Sequence, residues 1–117
     1  MDEELRQRLI EAARSRGVLH YKDAARVLHI DWERLDHCQR LFQELDDIST
    51  FEHEQGRPLL SVVVVREEDH RPGKGFFKMA RRCGKQTPQE DDDTFFAAEL
   101  KRTHDYWVGQ PTGPNEE

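Results

Sequence analysis

Cysteine is scarce in this chain of 117 residues: Cys38 and Cys83 stand far apart and belong to no Cys-x-x-Cys pair. A disulfide framework is therefore not expected, and since each falls where helical spacing wants an apolar residue, both are read as buried thiols. Long apolar runs are missing too. The longest is far too short to span a bilayer, and no charged segment followed by an apolar stretch opens the sequence. The expectation is a cytoplasmic protein of a reducing compartment with no membrane partner. Internal repeats and low-complexity domains are also absent.

Chemistry-bearing motifs are equally thin. His20, His29, His37, His53, His70 and His104 are scattered, and none forms a His-x-x-x-His pair, so no metal is expected. Pro72-Gly73-Lys74-Gly75 lacks the spacing and the Lys-Ser/Thr pair of a P-loop and reads as turn chemistry, so no cofactor is expected. No nucleophile with a matched base and orienting group can be assembled from spacing, and the chain is read as non-enzymatic. Two acidic groupings keep a metal-dependent hydrolase as a minor alternative. Glu67, Asp69 and His70 follow an apolar run, and Glu99-Leu100-Lys101 has the order of a nuclease-like acidic element, but within a helix.

What the chain has is charge, 36% of its residues, against 35% hydrophobic ones, with a formal net charge of -6. Such a balance suits one small domain with a modest core, and it opposes indiscriminate coating of nucleic acid. One segment reverses the sign: from Arg71 to Lys85 there are six Lys or Arg residues and no Asp or Glu. On a helix over about 75–83, Lys74, Lys78, Arg81, Arg82 and Lys85 fall within an arc of about 100 degrees, and Phe76, Phe77, Met79, Ala80 and Cys83 take the other side. Arg71, Lys74, Lys78, Arg81, Arg82 and Lys85 are thus the candidate contact for a nucleic-acid backbone or an acidic protein. An ordinary solvated face, paired with acids such as Asp91 to Asp93, is the competing reading. A variant makes 76–82 the returning strand of a β-hairpin.

Helical spacing over 2–16 ends at Gly17, Val18 to Tyr21 is extended, and a second helix covers 22–29. Asp31 is the expected N-cap of a third, from Trp32 to about Ile48, with Leu35, Cys38, Leu41, Phe42 and Leu45 on one stripe. Leu59 to Val65 reads as a strand covered on both faces. Thr87, Pro88 and Glu90 mark the start of a last helix whose stripe is Phe96, Leu100, Thr103 and Trp107. Residues 1–109 are expected to form a single domain, and 110–117, rich in Pro, Gly, Asn and Glu, a disordered tail.

The order helix, short extended piece, helix, helix, strand, with Gly17-Val18-Leu19-His20-Tyr21-Lys22-Asp23-Ala24-Ala25 at its junction, resembles the winged helix-turn-helix. Gly56 to Ser61, Pro72 to Phe77 and a late helix ending in Tyr106-Trp107 are similar to small bacterial proteins of unassigned function. The first resemblance implies an α+β fold: a winged-helix-like N-terminal three-helix unit with a small β-sheet and two additional C-terminal helices. It also implies that 32–48 stands where a DNA-binding recognition helix would, yet Glu33, Asp36, Glu44, Asp46 and Asp47 make that helix repulsive to phosphate. Protein docking or homodimerisation through the acidic third helix and the aromatic C-terminal helix is the alternative, with Trp32, Tyr106 and Trp107 as candidate partner anchors.

Overall fold

The computed structural model describes residues 1–110; the tail expected from Gln110 onward lies, but for Gln110 itself, outside them. The described residues form five α-helices and a two-stranded parallel sheet: α1 (Glu3–Arg14), β1 (Leu19–His20), α2 (Tyr21–Val27), α3 (Leu35–Glu54), β2 (Val64–Val65), α4 (Lys74–Arg82) and α5 (Asp92–Val108). Asp2 caps α1 by accepting from the Leu5 amide at 2.8 Å, and the acids of the first turn face the positive end of the helix dipole. Leu5, Leu9, Ile10, Ala12 and Ala13 then turn inward. Helix α4 begins and ends within one residue of the spacing-based expectation, which removes the hairpin variant over 76–82.

The strand expected over Leu59 to Val65 is corrected. Its burial is complete, but Leu60–Val63 is a 3-10 turn and only Val64 and Val65 pair, with Leu19 and His20. β-branched residues favour extended backbone, but a strand also needs a neighbour for its amides and carbonyls. Here the segment runs between α1, α3 and α5, and β1 supplies two residues. The backbone satisfies itself by other means: the Leu59 amide donates to Glu99 Oε2 at 2.8 Å, that of Ser61 to Ser49 Oγ at 2.9 Å, and that of Val62 to the Leu59 carbonyl at 3.1 Å.

Helix α3 starts three residues later than expected and runs six further, to Glu54. Asp31 forms an Asx turn with the Glu33 amide at 3.0 Å instead of capping the helix. Leu41, Leu45, Ile48 and Glu52 face inward, Phe42 points outward, and the side chain of Leu35 lies outside what the structure describes. The start of α5 is also corrected. Residues 87–90 are a turn held by the buried Gln86, whose Nε2 donates to the Glu90 carbonyl at 3.1 Å and to Asp92 Oδ1 at 2.8 Å. Asp91 is the cap, accepting from the Thr94 amide at 3.0 Å. The inward stripe is accordingly Phe95, Glu99, Thr103 and Trp107, and Phe96 and Leu100 are only half-buried.

Candidate functional site

Much of the cationic segment is neutralised by the protein's own carboxylates. Arg71 pairs with Asp93, Arg81 with Asp92 at 2.9 Å, and Arg82 with Asp46 of α3 at 2.8 Å. Lys85 lies 3.7 Å from the buried carboxylate of Glu99. Two of these partners are among the three acids the competing reading named. The Arg pairs are partly exposed, so each contributes little stability, but they remove charge from the face. Lys74 and Lys78, exposed and one turn apart on α4, have no carboxylate partner among the described residues.

Beside Lys74 the surface opens into a cleft of about 490 Å³. One wall is α4, contributing Phe76 and Met79; the other is α3, contributing Gln39, Phe42, Gln43 and Asp46; Tyr21 and Ser61 lie on the floor. Phe42, half exposed at 50%, stands edge-on to Tyr21 with ring centroids 5.9 Å apart and to Trp32 at 6.2 Å. Trp32 stacks on Tyr21 at 5.7 Å. Sequence reasoning placed Phe42 in the core stripe; on α3 Leu41 takes the inward position and Phe42, 100 degrees around the helix, falls in the cleft instead.

The mouth of the cleft is set by Gly73, Lys74 and Gly75. The Gly73 amide donates to Tyr21 Oη at 2.8 Å, fixing the entry into α4 against α2. No side chain caps α4 and no acid occupies its first turn, so the positive end of its dipole is uncompensated. A Cβ on Gly75 would meet nothing within 4 Å, so the backbone there is open to approach. Burial pushes the Tyr21 phenol above its ordinary value because the ring pocket disfavours phenolate, and the Gly73 hydrogen bond opposes this. A raised folded pKa gives stability that is complete below the unfolded value near pH 10 and is lost as pH rises through the folded value. Tyr21→Phe should cost about 1–3 kcal/mol at neutral pH by orphaning the Gly73 amide, and it should remove that alkaline loss. Urea unfolding from neutral to alkaline pH checks both.

Of the aromatic candidates, Trp107 is 7% exposed and belongs to the core, so it is no surface anchor. Tyr106 is half-buried, edge-on to Trp107 at 5.0 Å. Trp32 is half-buried behind Phe42.

The minor catalytic grouping does not assemble. Glu67 binds Lys22 at 2.8 Å, Asp69 binds Arg66 at 2.6 Å, and His70 lies edge-on to His20 at 5.4 Å. The Lys22 ammonium holds the Glu67 carboxyl below its usual range, and the Arg66 guanidinium does the same for Asp69. Neither carboxyl has the raised value of a general acid. Glu99 sits buried in the α5 stripe as a structural acceptor. Cys38 is buried as expected, Cys83 only half so, with its Sγ 3.9 Å from Met79 Sδ. Among the described residues no helix is long and apolar enough to cross a membrane.

The geometry is an aromatic-lined cleft with Lys74 at its mouth and Lys78 exposed one turn further along α4. Compared with known proteins, the chain matches no family model, no curated protein and no solved structure.

Proposed function

We propose that this chain is a small non-enzymatic adaptor that binds an anionic protein partner through the side of the molecule formed by α3 and α4. The observation that carries the reading is the pair Lys74 and Lys78, exposed beside an aromatic-lined cleft, while four other cations of the segment are held by the protein's own carboxylates. A nucleic-acid backbone is the less favoured partner. A phosphate track needs a continuous run of available cations, and the acids of α3 border this one.

In this reading the order α1, β1, α2, α3, β2 makes a winged-helix-like unit used for docking. The parallel pairing of β1 with β2 and the helical residues 74–82 depart from a hairpin wing, so base reading through α3 is not part of the proposal. The two unpaired thiols support a reducing, cytoplasmic setting.

Reversing both lysines, Lys74→Glu with Lys78→Glu, should lower partner capture from the native cell about tenfold or more and leave the circular dichroism unchanged, with or without nuclease. Capture that survives the reversal would reject the reading. Capture lost on nuclease treatment, with a steep fall as salt rises, would move the assignment to nucleic acid.

A further inference from the structure

We propose that the cleft between α3 and α4 takes one amphipathic acidic segment of the partner, a helical turn or two that seats an aromatic or long aliphatic side chain against Phe42, Phe76 and Met79. This rests on the adaptor reading and names what the adaptor recognises. Three features of the cleft select that occupant.

The first is size. A volume of about 490 Å³ lies within the range of about 300–1,000 Å³ that buries most of a small ligand. It accommodates a cluster of side chains. The second is the chemistry of the lining. Aromatic rings and a thioether form an adaptable apolar surface, and Phe42 leaves half of its ring uncovered at the rim. The third is the arrangement of the polar groups. Lys74 at the mouth with Lys78 one turn further along the same helix, and Gln39 with Gln43 on the opposite wall, are each spaced by one helical turn, which places their Cβ atoms about 5–6 Å apart. A helix laid between the walls has the same spacing of its own carboxylates, so two acids one turn apart meet two ammonium groups.

Charge also sets direction. Asp46 closes the α3 wall with its carboxylate on Arg82, so the acids of the segment belong on the α4 side. The net charge of -6 opposes an acidic partner at long range. The complex should therefore form without electrostatic steering, and salt should screen repulsion as well as attraction, leaving affinity nearly flat with ionic strength.

The probe is a library of random linear peptides displayed on phage, selected on the whole chain. Enriched sequences should place Phe, Trp or Leu within one helical turn of paired Asp or Glu. A labelled synthetic copy of an enriched peptide, followed by fluorescence anisotropy, should bind about tenfold or more weakly to Phe42→Ser. It should weaken as much with the double variant Gln39→Glu, Gln43→Glu, which adds carboxylates to an exposed wall and needs no core repacking. Amide shifts on titration should centre on Phe42, Lys74 and Met79. No enrichment, a basic consensus, equal binding by the Gln39/Gln43 variant, or a self-associating chain that this variant dissociates would each overturn the segment. If the Lys74/Lys78 reversal still abolishes partner capture in that case, the adaptor reading stands; if it does not, both fall.

Discussion

Glu99→Ala should be among the most damaging single substitutions in this protein, lowering the free energy of unfolding by about 3–5 kcal/mol. The carboxylate is 0% exposed. One oxygen takes the Leu59 amide at 2.8 Å, and the other takes Arg102 at 2.6 Å from Nη2 and 2.9 Å from Nε. Removing it leaves a buried backbone donor unpaired at the entry to the central segment, where β1 is too short to offer a replacement. It also strips Lys85, whose side chain is 26% exposed, of its counter-charge. Against a total of about 5–15 kcal/mol for a domain of this size, the loss leaves a marginal fold. Glu99→Gln keeps an acceptor for the amide and should recover part of it. Urea unfolding of the two variants is the check, and a cost for Glu99→Ala below about 1 kcal/mol would show that the carboxylate is not what holds the segment.

That prediction starts from a residue whose role could not be read from the chain. Glu99 looks like a solvated helical acid, and Phe96 with Leu100 looks like the core stripe one position away. The two registers differ by 100 degrees, and apolarity favours the second. What decides for the first is a need that arises only after folding: Leu59 must find an acceptor. The same holds for Leu59 to Val65, whose β-branched content names a strand while the absence of a long neighbour forbids one. Local signals did better where the determinant is local. The helical spacing over 2–16, the break at Gly17 and the two-faced pattern of α4 each depend on residues within a turn or two, and they set boundaries within about a residue or two. The candidate site divides in the same way. The cationic arc of α4 is visible from spacing, whereas the pairing of Arg82 with Asp46, 36 residues away, and the cleft facing Phe42 depend on how α4 docks on α3.

A second buried carboxylate should behave similarly, and it separates stability from binding. Glu52 is 0% exposed and accepts from Arg6 of α1 at 2.7 Å and from Arg57 at 2.5 Å. Both guanidinium groups lie over the Phe51 ring, at 5.4 and 5.5 Å from its centroid, and Arg6 also faces Trp107 at 5.9 Å. The carboxylate raises the Arg57 pKa, chiefly through their hydrogen bond, so that guanidinium stays charged at any ordinary pH. Glu52→Ala leaves two cations against aromatic faces without an anion and should cost about 3–5 kcal/mol. Arg6→Ala should cost less, since Arg57 still neutralises the acid, and the Glu52/Arg6 double-mutant cycle should show coupling of about 1 kcal/mol or more. Additive losses would mean that the aromatic contacts, and not the shared carboxylate, tie α1 to the end of α3. Neither Glu52, Arg6 nor Arg57 lines the α3–α4 cleft. At temperatures where the variant remains folded, Glu52→Ala should therefore leave peptide affinity unchanged, whereas Phe42→Ser should reduce affinity with little loss of stability.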